Sequence, residues 1–161
     1  MLDDTTAIRG PGTYILLLEL RAVERIRVGK LGRHRFAAGH YAYVGSAFGP
    51  GGLAARLAHH LKTSASPHWH IDYLRPRAAV RAIWHARTDP HTEHQWARAL
   101  MQLRGASVSV EGFGSSDCRC RAHLVHLPRR PRRRSLRRHW QIQGGASRPP
   151  IRQIRGNRQA D

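Results

Sequence analysis

Two stretches of sequence decide the fold, GTYILLLEL at residues 12–20 and HYAYVG at residues 40–45. The first is an almost continuous apolar run, which is typical of a strand in the middle of a sheet. In the second, Tyr41 and Tyr43 alternate with small residues, so the two rings share one face of a strand. The sequence therefore predicts a sheet with a buried central strand at 13–20 and another strand at 40–45.

The segments around these two strands show strand and helix patterns in turn. Ile26 and Val28 alternate with charged residues and predict a hairpin strand at 25–29. Leucines spaced four apart predict a helix at 53–61. The other predicted elements are a short helix opened by Ser66-Pro67 and closed by Arg75-Pro76, a strand at 79–84, a helix starting at Asp89-Pro90 and a final strand at 121–127. This order predicts an α+β domain over residues 1–127, with a small, mostly antiparallel central sheet flanked by helices.

Basic residues dominate the composition. There are 28 Lys and Arg against 10 Asp and Glu, for a formal net charge of +18. This charge points to a polyanionic partner, and it argues against an enzyme that attracts cationic substrates. We predict a nucleic acid as the partner, DNA rather than RNA, and no membrane.

The tail at 128–161 is rich in arginine and poor in apolar residues, so we expect it to be disordered. Five of its arginines form a candidate nucleic-acid-binding arm: Arg129, Arg130, Arg132, Arg133 and Arg134. The alternative interpretation is a solvated terminal extension without a function of its own.

Cysteine use and hydropathy bear on where the protein works. The chain has only two cysteines, Cys118 and Cys120, which excludes a secreted domain held by a framework of disulfides. Its start is acidic with no apolar segment behind it, and the longest apolar run, 14–18, is far shorter than a membrane span. We therefore expect a soluble, cytoplasmic protein.

Three groups of residues could carry chemistry. Tyr14 opens one strand and Tyr43 closes another, so the two can meet at one end of a sheet, although strand tyrosines are more often core residues. Arg56 and His60 lie one helical turn apart. Glu93 lies in the first turns of a helix beside its apolar stripe, where the helix dipole alone would also favour an acid.

Taken in order, these residues resemble the GIY-YIG nuclease superfamily. The matching motifs are Gly12-Thr13-Tyr14, Tyr43-Val44-Gly45, Arg56-x-x-x-His60 and a helix with Glu93. The stretches YVGSAFGPGGLAARLAHHL, HWHIDYL and GFGSSDCRCRAHL resemble a small prokaryotic branch, whose members stand alone or are fused to an endonuclease III-type DNA-repair glycosylase. The resemblance covers roughly 10–127 and implies a GIY-YIG-like fold. The interval between the two tyrosine motifs is wider than in the superfamily, which implies a hairpin inserted around 24–36.

The resemblance implies hydrolysis of phosphodiester bonds. It makes Tyr14, Tyr43, Arg56 and His60 catalytic and makes Glu93 the ligand of Mg²⁺ or Mn²⁺. Arg56 would offer two parallel donors to a phosphate, and Mg²⁺ needs only one or two carboxylates because it keeps several waters. Either Tyr43 or His60 could accept the proton of the attacking water. We therefore predict a metal-dependent DNA endonuclease that acts in repair, with a DNA-repair glycosylase as a further partner. The alternative is a non-catalytic nucleic-acid-binding module of the same fold.

Two further segments are predicted to support this site from behind. At 68–73, HWHIDY, His68 and Asp72 share a helix face but make an incomplete metal site. At 115–123, SSDCRCRAH, Cys-x-Cys followed by His is poor zinc spacing, and a zinc ion would need His68 or His70 as a further ligand. The segment is interpreted as a structural loop, with a zinc site and a reactive thiol as the alternatives. The supporting residues are His68, His70, Asp72, Ser116, Cys118, Cys120 and His123.

Overall fold

The computed structural model describes residues 8–62, 66–142 and 152–156. Within these residues the chain forms seven strands and four α-helices. In chain order they are β1 (Gly12–Leu20), β2 (Glu24–Arg27), β3 (Arg33–Phe36), β4 (Gly39–Ala47), α1 (Gly52–Leu61), α2 (His70–Leu74), β5 (Ala79–Ala86), α3 (Thr92–Met101), β6 (Leu124–Leu127), α4 (Arg133–Ile142) and β7 (Arg152–Arg155).

Five strands form the central sheet, in the order β6-β4-β1-β5-β7. Every neighbouring pair is antiparallel. β1 lies in the middle and is covered on both faces, which explains its almost continuous apolar sequence. The predicted α+β class, with an antiparallel sheet flanked by helices, is confirmed.

The alternation of side chains along β1 divides the interior into two cores. Tyr14 and Leu16 point to the face covered by α1 and α2, where Leu57 is fully buried. Ile15 and Leu17 point to the other face, which packs against α3 and α4. The sheet is therefore a middle layer, and side chains at its ends are held from both sides.

The predicted inserted hairpin is present as a separate two-stranded sheet. β2 pairs with β3 in a register that sets Glu24 opposite Phe36. Val28 and Phe36 are fully buried in the core beneath α1 and α2, so the hairpin is packed onto the domain by two apolar side chains. The strand expected at 25–29 thus exists at Glu24–Arg27, outside the central sheet.

Three predicted boundaries differ from the structure. The short helix begins at His70 rather than at Ser66-Pro67, because Asp72 accepts the backbone amide of Trp69 at 2.9 Å and caps the helix there. The next helix begins at Thr92, after His91 adopts a left-handed conformation. The last predicted strand begins at Leu124, since the residues before it form a loop.

The tail differs from the expected disorder in the part that the structure describes. Leu136 of α4 is fully buried in the core that also contains the apolar residues of α3. β7 pairs with β5, and its Ile154 is only 7% exposed. Leu136 and Ile154 are thus buried in elements whose described arginines face the solvent. Residues 143–151 and 157–161 of the tail lie outside the described residues.

The helices of the described residues do not resemble membrane-spanning helices. Among the described residues, each helix is too short or too polar to cross a lipid bilayer.

Candidate active site

A cleft of about 380 Å³ opens where β1 begins and β4 ends. The predicted residues Tyr14, Tyr43, Arg56 and Glu93 all line it. The other lining residues are Val44, Gly45, Ser46, His68, Trp69, His70, Gly114, Ser116, Asp117 and His123. The structure therefore brings together side chains from β1, β4, α1 and α3, together with four of the predicted supporting residues.

The glycine of the second tyrosine motif makes room for the tyrosine of the first. Tyr14 lies opposite Gly45 in the antiparallel pairing of β1 with β4. A Cβ atom on Gly45 would overlap the Tyr14 hydroxyl, so any other residue would displace this ring. Gly114 has the same effect on Tyr43, because a Cβ there would lie 2.9 Å from the Tyr43 ring, and its φ of +73° also favours glycine.

Gly45→Ala is expected to lower the free energy of unfolding by about 1–3 kcal/mol, because the methyl group overpacks the space that the Tyr14 hydroxyl fills. The matched control is Gly49→Ala, since a Cβ on Gly49 meets no atom within 4 Å. Its effect should stay within about 0.5 kcal/mol. Urea unfolding of both variants measures the difference. Equal stability of the two would contradict the role assigned to Gly45.

His60 lies behind the cleft and is hydrogen-bonded to Tyr14. Its Nε2 atom lies 2.6 Å from the Tyr14 hydroxyl, and its side chain is 1% exposed and is not among the residues that line the cleft. Burial lowers the pKa of His60 to about 3, against a smaller opposing effect of Asp72. At neutral pH, His60 is therefore a neutral imidazole that forms the wall behind Tyr14.

Asp72 lies near the Nδ1 atom of His60, which is buried and forms no hydrogen bond among the described residues. Its Oδ1 atom lies 4.0 Å from His60 Nδ1 and 3.1 Å from His59 Nε2. Although burial opposes it, hydrogen bonds from the amides of Trp69 and His68 and from His59 hold the pKa of Asp72 below its ordinary value. A proton on His60 Nδ1 would face this carboxylate and would leave Nε2 to accept the Tyr14 hydroxyl. The three side chains form a line, Asp72–His60–Tyr14, that ends in the cleft.

The buried state of His60 predicts a loss of stability in acid. An unfolded histidine binds a proton near pH 6.5, whereas folded His60 binds one only near pH 3. Its contribution is complete above about pH 6.5 and is lost as the pH falls toward 3, which amounts to roughly 3 kcal/mol between pH 7 and pH 4. Urea unfolding at several pH values should show a flatter profile for His60→Gln than for the wild type. His91→Asn, at an exposed position, should keep the wild-type profile, and identical profiles for all three proteins would refute the prediction.

Both cleft tyrosines are neutral phenols at physiological pH. Burial raises the pKa of Tyr14 well above its ordinary value, and the neighbouring Tyr43 adds to the effect. Burial likewise raises the pKa of Tyr43, with Arg56 partly opposing it. A tyrosine here can therefore accept a proton only if it gives up its own proton to another group.

Arg56 is held by an aromatic ring. Its guanidinium carbon lies 4.1 Å from the centre of the Trp69 ring, at the start of α2. Such a stack fixes the plane of the guanidinium while leaving its N–H groups free to point elsewhere. Trp69 is half-buried and lines the cleft.

Glu93 stands in the first turn of α3 with its side chain 21% exposed. Its carboxylate oxygens lie 3.9 Å from His94 Nε2 and 3.9 Å from His123 Nδ1. Asp117 lines the same cleft and supplies a second carboxylate. Since Mg²⁺ takes one or two carboxylates and keeps several waters, these residues fit such an ion.

A second group of potential metal ligands lies directly behind Glu93. The ligand atoms of His94, Cys118, Cys120 and His123 all lie within 4.8 Å of one another. Cys118 Sγ is 3.5 Å from His123 Nε2, and Cys120 Sγ is 3.2 Å from His94 Nδ1. Both cysteines are free thiols.

Of the two histidines beside these cysteines, His123 was expected from the sequence, whereas His94 takes the place predicted for His68 or His70. His70 instead accepts the amide of Gly114 at 2.9 Å, and His68 is exposed with its ring against Trp69. His94 was missed, and nothing in its sequence context distinguishes it among the 12 histidines of the chain. Only the packing of α3 against the loop with the cysteines brings it there.

A third group, His59, His60 and Asp72, also has ligand atoms within this range. Asp72 binds His59 and two backbone amides, and His60 Nε2 binds Tyr14, whereas the buried His60 Nδ1 has no hydrogen-bond partner among the described residues. Hydrogen bonds therefore account for the Asp72 carboxylate and for one nitrogen of His60.

The five arginines of the predicted arm are exposed and are not among the residues that line the cleft. They precede α4 and occupy its first turn. One of them, Arg130, donates to the carbonyl of Arg81 at 3.4 Å.

Comparison with protein-family models finds one that matches residues 13–143, described as Domain of unknown function DUF123. The matched range includes both tyrosine strands, the helices with Arg56 and Glu93, and the two cysteines. Comparisons with curated proteins and with solved structures return no match.

Proposed function

The chain belongs to the DUF123 family, and from this premise we propose that it is a metal-dependent endonuclease of the GIY-YIG type that hydrolyses phosphodiester bonds in DNA. One observation carries the proposal. Tyr14, Tyr43, Arg56 and Glu93, which come from four different elements, line a single cleft of about 380 Å³. The resemblance of the motifs assigns catalytic or metal-binding roles to these same residues.

The charge of the protein supports an anionic polymer as substrate. The chain carries a formal net charge of +18, which attracts nucleic acid over long distances. Within the cleft, Arg56 offers a planar fork that matches two phosphate oxygens, and Trp69 holds that fork in one plane. Arg56 would therefore bind the scissile phosphate and neutralise the charge that develops on it.

Glu93 is the proposed metal ligand, and Asp117 lines the same cleft. When bound, Mg²⁺ or Mn²⁺ would supply a cation that stabilises the leaving oxygen. Glu93 stands in the first turn of α3, next to two histidines, so its position is set by the helix and by the loop that packs on it.

Tyr14 is the proposed proton acceptor for the attacking water. Its hydroxyl lies 2.6 Å from His60 Nε2, so with Nε2 as the acceptor it would release its own proton as it takes one from water. His60 would then carry a positive charge, which burial disfavours and which Asp72 at 4.0 Å partly offsets. We assign this role to Tyr14 rather than to Tyr43 because the Tyr14 hydroxyl is hydrogen-bonded to the imidazole of His60. His60 would act behind Tyr14 as a positioning residue.

Plasmid nicking by the full chain tests the proposal. Supercoiled DNA should be converted to the nicked form with Mg²⁺ or Mn²⁺, and a chelator should stop the reaction. The activity should elute with the protein during size-exclusion chromatography, which separates it from a contaminating nuclease. Metal-independent binding without nicking, on supercoiled, branched and damaged DNA alike, would refute the nuclease and favour the non-catalytic binding module.

Replacing the five arginines of the arm by glutamine should weaken DNA binding in a salt-dependent way. If all five contact phosphates, the slope of log affinity against log salt should fall by about 4.5. Deleting the tail is a poorer test, because Leu136 and the pairing of β7 belong to the folded domain. The control replaces the exposed Arg25, Arg27, Arg33 and Arg35 of the hairpin. An equal change of slope in both variants would show that the arm has no special role.

Two expectations remain predictions. The DNA-repair glycosylase partner rests on the resemblance alone, and the cytoplasmic location rests on the sequence alone.

A further inference from the structure

Cys118 and Cys120 lie in the loop before β6, and each thiol faces a different histidine. The loop itself contributes His123, and α3 contributes His94. We propose that these four residues bind one Zn²⁺ ion that joins the loop to the helix carrying Glu93. This site is separate from the cation proposed at Glu93, and it would exist whether or not the protein cuts DNA.

The distances between the ligand atoms suit zinc. Zinc binds sulfur at about 2.3 Å and nitrogen at about 2.0–2.1 Å in a tetrahedron, so sulfur and nitrogen ligands lie about 3.5 Å apart. The two sulfur–nitrogen distances here are 3.5 and 3.2 Å, and no pair of the four ligand atoms exceeds 4.8 Å. A small contraction of the loop is enough to close the site.

The chemistry of the four donors selects the metal. Two thiolates and two neutral imidazoles favour Zn²⁺ over Mg²⁺ or Ca²⁺, which prefer oxygen. The charges of two thiolates cancel that of Zn²⁺, so the bound ion adds no charge beside Arg119 and Arg121. Four protein ligands leave no open position for water, which makes the site structural rather than catalytic.

A disulfide explains this arrangement less well. A bond between Cys118 and Cys120 would involve both sulfur atoms, and it would not explain why a histidine nitrogen lies beside each of them. Zinc uses all four groups. A cavity of about 440 Å³, lined by His94, Cys118 and Cys120 among others, opens on this side of the cluster and provides a route for the ion.

The position of the cluster explains what the ion would do. His123 directs Nε2 to Cys118 and Nδ1 to Glu93 at 3.9 Å, so one ring touches both sites. His94 directly follows Glu93 on α3. A zinc ion would thereby fasten the wall of the cleft that carries Gly114 and Asp117 to the helix that carries Glu93.

The metal content of the purified full chain tests this inference. Protein made with added zinc should hold close to one zinc ion per chain, and Cys118→Ser with Cys120→Ser should hold almost none. His91→Asn is the matched control, because His91 lines the same cavity outside the cluster and asparagine tolerates its left-handed conformation. Glu93→Gln should keep its zinc even if it loses nicking, which separates this inference from the proposed function.

A spectroscopic measurement covers the case in which the double serine variant fails to fold. Metal-stripped wild-type protein, reduced and then titrated with Co²⁺, should develop the visible bands of a tetrahedral thiolate site, and one equivalent of Zn²⁺ should remove them. Refolding of stripped protein by zinc alone would equally support the site. Wild-type protein without zinc and without these bands, or equal zinc in the double serine variant, would overturn it.

Discussion

Glu93→Gln is expected to reduce the rate of plasmid nicking by about 10³-fold or more and to leave DNA binding intact. The amide has the shape of the carboxylate but no charge, so the cation at this position is lost. A metal ion contributes several kcal/mol to the stabilisation of a transition state, and about 4 kcal/mol corresponds to 10³-fold in rate. DNA affinity should stay the same or rise, because the substitution removes a negative charge from the cleft.

Glu24→Gln is the matched control for this experiment. Glu24 lies on β2, is 31% exposed and pairs with Arg77 at 3.6 Å. Single-turnover nicking and a gel-shift assay should be measured on both variants at the same salt concentration. Unchanged nicking by Glu93→Gln would remove the metal role from this residue. An equal loss in both variants would point to a general effect of removing an acid.

Arg56→Ala is expected to slow nicking by about 10²–10³-fold, the usual cost of removing a positioned donor to a transition-state oxygen. The structure supports so large an effect, because Arg56 is half-buried in the cleft and its plane is set by Trp69 at 4.1 Å. Arg56→Lys should recover only part of the rate. Lysine restores the charge but has neither the planar fork nor the stack on the ring.

The two Arg56 variants also separate a catalytic role from a role in binding. Single-turnover rates at saturating protein should fall in the order wild type, Arg56→Lys, Arg56→Ala. The unfolding temperature of both variants should stay close to that of the wild type. If alanine weakens DNA binding but leaves the saturated rate unchanged, Arg56 holds the substrate and has no part in the chemistry. The proposed catalytic roles would then be left to Glu93 and Tyr14.

The strands and helices that position the cleft could be predicted because their signals are local. The apolar run of β1 and the leucine stripe of α1 are each visible within ten residues or so. The interval between the tyrosine motifs is wider than in the superfamily that they resemble, and this difference predicted an inserted hairpin. The structure has this hairpin at β2 and β3. The folded part of the tail could not be predicted in this way, since the burial of Leu136 in α4 and of Ile154 in β7 depends on a surface elsewhere in the chain.

Patterns along the chain were enough to predict the α+β class and the antiparallel sheet, and the resemblance of the motifs grouped Tyr14, Tyr43, Arg56 and Glu93 into one site. Their placement in one cleft was decided by the tertiary structure.

The tertiary structure alone decided which groups touch behind the cleft. Tyr14 and His60 are 46 positions apart, and Cys120 and His94 are 26 positions apart. Hydrogen bonds and metal coordination depend on distances of a few ångströms, whereas sequence patterns report only which face of a strand or helix a residue occupies. The line from Asp72 through His60 to Tyr14, and the meeting of His94 with the two cysteines, follow from how the helices and the loop pack onto the sheet.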